Sequence, residues 1–147
     1  MIMHLYGAKY TYAETPLGFY LKDIFSWERN NYDRIVHFGF GLFLAYPLRE
    51  LFLDFVKLNP KYCWILPAEI TLSFAAFYEL IEWIIADKFF PDQGIAYLGA
   101  QGDIWDAQKD MGLALLGSVI ALLITFTSKS IILNHAKKAT IQVLNKS

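Results

Sequence analysis

The sequence predicts an all-α membrane protein: three transmembrane helices, an N-terminal interfacial helix and a C-terminal basic helix. Three observations predict it. Hydrophobic residues make up 56% of the 147 and charged residues 18%, which is more apolar and less charged than a typical soluble domain. The charges also cluster, and the longest apolar run, 111–126, carries only Ser118 and Thr125 as polar side chains, whereas a helix of a soluble bundle needs a polar face. Finally, Tyr32, Tyr62, Trp64, Trp83, Tyr97 and Trp105 stand near the ends of apolar runs, where rings with one wet side form interfacial belts.

The length fits a single membrane domain, 1–147. The first twelve residues lack the charged start, apolar stretch and small-residue cleavage site of a signal peptide. Thr15-Pro16 reads as an N-cap followed by proline at the first helical position. Leu17, Tyr20, Leu21, Ile24 and Phe25 then form a helical stripe, so 16–28 is expected to lie in the membrane interface. Asn30-Asn31 breaks the chain. Spans are expected at about 32–53, 62–86 and 105–128, each near the ~20 residues that cross a ~30 Å hydrocarbon core. Asn59-Pro60-Lys61 is the turn between the first two spans, and 87–102, with Pro91, Gly94, Gly99 and Gly102, is the loop before the third. Lys129, Lys137, Lys138 and Lys146 mark the basic tail. Gly41 with Ala45, and Gly117 with Ala121, stand four apart, the spacing that lets helix backbones approach in lipid.

The net charge of −1 supplies no basic field for nucleic acid. The single cysteine, Cys63, excludes an internal disulfide and a thiolate metal cluster. The informative residues are charges inside spans, because each costs roughly 2.5–3.5 kcal/mol at a helix centre unless partnered. Asp33 and His37 share one face of the first span. Glu79 and Glu82, three apart near the end of the second, are too close to ionise together cheaply. Asp103, Asp106 and Asp110 stand at i, i+3 and i+7 on one face of the third. A capping box by Asp103 and Asp106 would explain two of these aspartates but not Asp110. An up-down-up topology brings all three clusters to one membrane face. Arg49 lies at the other end, within reach of Glu50 or Glu69.

Several strings carry a family resemblance: Tyr10-Thr11-Tyr12, Pro16-Leu17-Gly18, Asn31-Tyr32-Asp33-Arg34 through His37-Phe38, Arg49-Glu50, Tyr78-Glu79-Leu80-Ile81-Glu82-Trp83, and Gln101-Gly102-Asp103 with Trp105-Asp106 and Gln108-Lys109-Asp110-Met111. Together they resemble the YjdF family of bacterial inner-membrane proteins, a family of unknown function. The resemblance implies further spans before the Tyr-Thr-Tyr segment, supplied by a longer chain or replaced by a homo-oligomer. A weaker resemblance, through Asp33 with His37, Glu79 or Glu82, and Asp106 or Asp110, is to VanZ-like proteins of the cell envelope.

These readings lead to expectations about function. The chain is expected to be a multi-pass protein of the bacterial inner membrane, with the lipid bilayer as its partner and a His/Glu/Asp site at one membrane face. In one reading a divalent metal on Glu79, Glu82, Asp103, Asp106 and Asp110 activates water. His37, Glu79, Glu82, Asp106 and Asp110 then act on a lipid or envelope precursor. In another the same groups carry a proton or cation. In a third they only hold the bundle together. Arg34, Asp33, Arg49 and Glu50 are expected in structural roles. Lys137-Lys138 favours a cytoplasmic tail.

Overall fold

The computed structural model of the chain describes residues 2–89 and 100–144, and every regular element among them is helical. Five helices follow in order: α1 Ile2–Lys9, α2 Pro16–Phe25, α3 Tyr32–Glu50, α4 Leu66–Phe89 and α5 Asp106–Leu144. α1 was not expected. Its apolar residues surround the helix instead of forming a stripe, so periodicity does not reveal it. α2 begins with Pro16 as expected, but Thr15 does not cap it with its side chain. Thr15 Oγ1 instead donates back to the Tyr12 carbonyl at 3.0 Å.

α3 continues beyond Glu50 as a wider π-type turn, Leu51–Phe55, downstream of Pro47, whose missing N–H weakens the ladder there. In the expected turn, Asn59 Oδ1 accepts the Lys61 N–H at 3.0 Å, and the buried Cys63 thiol faces the Asn59 carbonyl at 3.5 Å. A 3-10 turn at Tyr62–Trp64 precedes α4, which therefore starts later than the expected 62 and runs on through Asp87 and Lys88. α5 starts at Asp106, and Lys137 and Lys138 continue that helix and do not form a separate one. Residues 90–99, with Pro91, Gly94, Tyr97 and Gly99 of the expected loop, lie outside the described residues.

Among the described residues, two segments are long and apolar enough to cross a membrane, Tyr32–Phe55 (24 residues) and Asp106–Ile132 (27 residues), and only 33% and 28% of their most apolar stretches are buried inside the protein. The core helix of a soluble protein would be mostly buried; here Phe43, Phe55, Leu123 and Ile124 point outward. α4 matches them in length at 24 residues but carries Glu69, Glu79 and Glu82.

α3 packs along α5, α4 lies against both, and α1 rests on α3. The α3–α5 seam is made of small residues. Ala45, Ala114 and Ser118 are fully buried. A Cβ placed on Gly41 would fall on the Ala114 carbonyl oxygen, and one on Gly117 would fall on the Phe38 carbonyl oxygen. The two backbones touch at both glycines. By contrast, a Cβ on Gly112 would meet nothing within 4 Å.

This seam yields a first prediction. Gly41→Ala or Gly117→Ala forces the helices apart and lowers stability by about 1–3 kcal/mol, the usual range for overpacking. Gly112→Ala, on the same helix as Gly117, is neutral or stabilising by up to about 1 kcal/mol through helix propensity. Denaturation midpoints in mixed micelles check the ranking; equal midpoints for all three would refute the seam.

Candidate functional site

Because α3 and α5 touch at their glycines, the charged groups at their neighbouring ends converge. Asp33 and His37 lie one turn apart on α3, with Asp33 Oδ1 3.6 Å from His37 Nε2. On its other side His37 Nε2 is 3.3 Å from Glu79 Oε1 of α4. Asp33 meets Asp106 and Asp110 of α5: one oxygen from each lies within 4.8 Å of the others, and all three residues are buried. A cavity of about 360 Å³ opens among them, and Asp33, Glu79, Glu82, Asp103, Asp106 and Asp110 all line it.

The structure therefore gathers His37, Glu79, Glu82, Asp106 and Asp110 at one end of the bundle. It also buries Asp33 in the middle of the group, where the sequence suggested a structural residue. Asp110 is 1% exposed. Among the described residues, three buried ligand-type atoms have no hydrogen-bond partner: His37 Nε2, Glu79 Oε1 and Asp110 Oδ1. Buried polar atoms are rarely left unpaired.

Asp103 plays a different part from the metal ligand expected of it. It accepts from Lys109 Nζ at 2.6 Å and Arg34 NH2 at 2.5 Å. Lys109, the Trp105 backbone N–H and Arg34 hold its carboxyl well below the usual range. Nor does it cap α5, which begins three residues later. Asp106 makes no capping box either, because its Oδ1 accepts from Arg29 NH1 at 2.8 Å and Arg34 NH2 at 3.2 Å. Arg34 thus takes a structural role beside Arg29, which sequence reasoning missed.

Asn30, read in the sequence only as a break, is 1% exposed and ties three segments together. Its Nδ2 donates to the carbonyls of Ala13 (2.8 Å) and Thr15 (3.1 Å), and its Oδ1 accepts the Tyr32 N–H at 3.0 Å. Its backbone exchanges two hydrogen bonds with the Gln101 amide, at 3.0 and 2.8 Å. Behind His37 stands an aromatic wall that the sequence did not reveal. The Tyr12 and Tyr78 hydroxyls are 2.9 Å apart, and His4 Nδ1 is 3.2 Å from the Tyr12 hydroxyl. Burial pushes the Tyr12 hydroxyl up to about 12. At the opposite end, Arg49 pairs with Glu50 and stacks 3.9 Å over the Trp64 ring, while Lys129 Nζ reaches Glu50 at 3.0 Å. Glu69 makes no ion pair among the described residues.

Residues 1–130 match the family model described as "Predicted membrane protein (DUF2238)". The chain belongs to that family. It is 38% identical over 124 residues to the inner membrane protein YjdF of Escherichia coli (strain K12), a match covering 83% of this chain and 58% of that protein. The chain thus matches little more than half the length of this curated relative. No solved structure matches it. The membership makes the apolar helices those of a membrane protein.

Asp103 gives a second prediction. Its folded pKa is depressed, so its contribution to stability is complete above the unfolded value of 3.8 and is lost as pH falls below it. Asp103→Asn removes that contribution at neutral pH. It frees Arg34 and Lys109, and amide exchange at 100–106 rises about tenfold while the α3–α5 seam stays protected. Unchanged exchange at 100–106 would show that Asp103 does not anchor this segment.

Proposed function

We propose that this chain is a multi-pass protein of the bacterial inner membrane, crossing it with α3, α4 and α5, and that its acidic cavity holds a divalent cation for hydrolytic chemistry on a lipid or envelope precursor. The observation that carries the reading is the buried Asp33–Asp106–Asp110 group, with ligand oxygens within 4.8 Å of one another and Asp110 Oδ1 unpartnered. Oxygen-only sets of this kind suit Mg²⁺, Ca²⁺ or Mn²⁺. Arg29 and Arg34 offset Asp106 and Asp103. That leaves Asp33, Glu79, Glu82 and Asp110, whose charge a cation would offset. A bound cation there would polarise a substrate oxygen or activate water. Glu82 lines the cavity and makes no ion pair among the described residues, which suits a group that takes a proton from that water.

A proton- or cation-carrying role uses the same groups. The packing favours the hydrolytic reading, because below Asp110 the helices close on each other at Gly41 and Ala114. A site open at one face and shut beneath suits a reactant that enters and leaves by the same door.

Metal content tests the proposal. Protein purified in detergent, loaded with Mn²⁺ or Mg²⁺ and desalted, is expected to retain the ion. Asp110→Asn loses it, with affinity falling at least tenfold, and Glu69→Gln at the opposite end of α4 keeps it. Absence of retained ion in the unsubstituted protein would overturn the reading.

A further inference from the structure

Contact between α3 and α5 accounts for Gly41 and Gly117, but not for Gly112. A Cβ there would meet nothing within 4 Å, and glycine in a helix interior costs about 1 kcal/mol relative to alanine. Gly112 lies in a second cleft, of about 390 Å³, lined also by Arg34, Lys109, Leu113 and Leu116. Lys109, Gly112, Leu113 and Leu116 stand at i, i+3, i+4 and i+7, one face of α5, and Arg34 reaches this face from α3. The cleft shares no lining residue with the acidic cavity, to which α5 gives Asp106 and Asp110 instead. Two cations meet at its head. Arg34 NH2 and Lys109 Nζ both donate to Asp103 Oδ2, so the two nitrogens lie within about 5 Å of each other. One phosphate can accept from both. The Lys109 side chain is 50% exposed, and its ammonium has no other partner among the described residues, which leaves two of its three N–H groups for a ligand. Arg29, Arg34 and Lys109 set three positive charges against the two carboxylates of Asp103 and Asp106, so the layer keeps an excess of one. Leu113 and Leu116 lie one and two turns deeper in the apolar run, Leu116 about 10 Å from the level of Lys109.

We infer that this cleft binds one anionic phospholipid of the surrounding bilayer. Its phosphate accepts from Arg34 and Lys109, and one acyl chain lies on α5 across Gly112 and along Leu113 and Leu116. The order of chemistry along the helix is that of the lipid: cations at the end of the span, then an apolar track running into it. The missing side chain at Gly112 lets the acyl chain lie against the helix backbone just beneath the phosphate. The single excess positive charge matches the single negative charge of a phosphodiester, and a basic site at the membrane surface favours anionic over zwitterionic lipid. A free phosphate would use the two cations and leave the apolar track bare. The inference is independent of the cation reading, since it needs only the membrane and these five residues. A lipid held in this way bridges α3 and α5 beside the rim of the acidic cavity.

The experiment is native mass spectrometry of the full chain released from nanodiscs of equimolar phosphatidylglycerol and phosphatidylcholine. The expected result is one retained phosphatidylglycerol per chain, in clear preference to phosphatidylcholine and undisplaced by an excess of glycerol phosphate. Lys109→Gln lowers that preference about fivefold, the share of one basic residue near an anionic headgroup. Gly112→Phe, which fills open space in the cleft and keeps both cations, loses the retained lipid while its circular dichroism stays that of the unsubstituted protein. Equal retention of the two lipids overturns the inference. So does displacement by glycerol phosphate, which would make the site one for a free anion, and so does undiminished retention in a folded Gly112→Phe, which would make the lipid part of the general annulus. The comparison of the two lipids on the unsubstituted protein decides the matter even if a variant fails to fold.

Discussion

The direct contact of α3 with α5 at Gly41 and Gly117 sets the position of every group in the acidic cavity. At both glycines the facing atom is a backbone carbonyl oxygen, of Ala114 and of Phe38. A backbone cannot rotate out of the way as a side chain can, so the glycines set how closely the helices approach there. In lipid there is no hydrophobic force drawing helices together, and association rests on such close packing. His37 lies one turn and Asp33 two turns from Gly41, and Asp110 lies two turns from Gly117. Their separation from one another follows from the seam. The carboxylates are held together by packing elsewhere, against their own repulsion.

That arrangement explains which parts of the molecule could be read from the sequence. The long apolar runs, the turn at Asn59-Pro60-Lys61 and the gathering of His37, Glu79, Glu82, Asp106 and Asp110 followed from composition, helical period and alternating direction. Each depends on residues near one another in the chain or on topology alone. The roles of Asp33 and Asp103 did not follow. A carboxylate in the first turn of a helix satisfies capping rules equally well whether it caps, binds an arginine or turns inward. Asp103 is held by Lys109, six residues on, and by Arg34, far away in the chain, and only the folded structure brings Arg34 to it. His4 and Tyr12 were missed for the same reason: α1 has no apolar stripe, and nothing local shows that it folds back on α3.

Asn30 and the arginine layer form the rim of the cavity. Every hydrogen-bonding group of the Asn30 side chain is used, and its backbone is bound by Gln101, so the entry to α3, the segment after α1 and the segment before α5 meet on one residue. Arg29, its neighbour, reaches the Ala100 carbonyl and Asp106. The loop that bears Asp103 is therefore tied to α3 by an amide pair on one side and guanidinium groups on the other. Such a rim holds its shape while the acidic interior stays unsaturated, which is where stability and function would be expected to conflict.

The glycine seam has a thermodynamic consequence as well. Where two backbones touch, no water file or chain of polar groups runs between them. On the reading proposed above, a ligand then enters and leaves the cavity by its open side alone, and its occupancy follows the chemical potential in that one compartment, whatever the gradient across the bilayer.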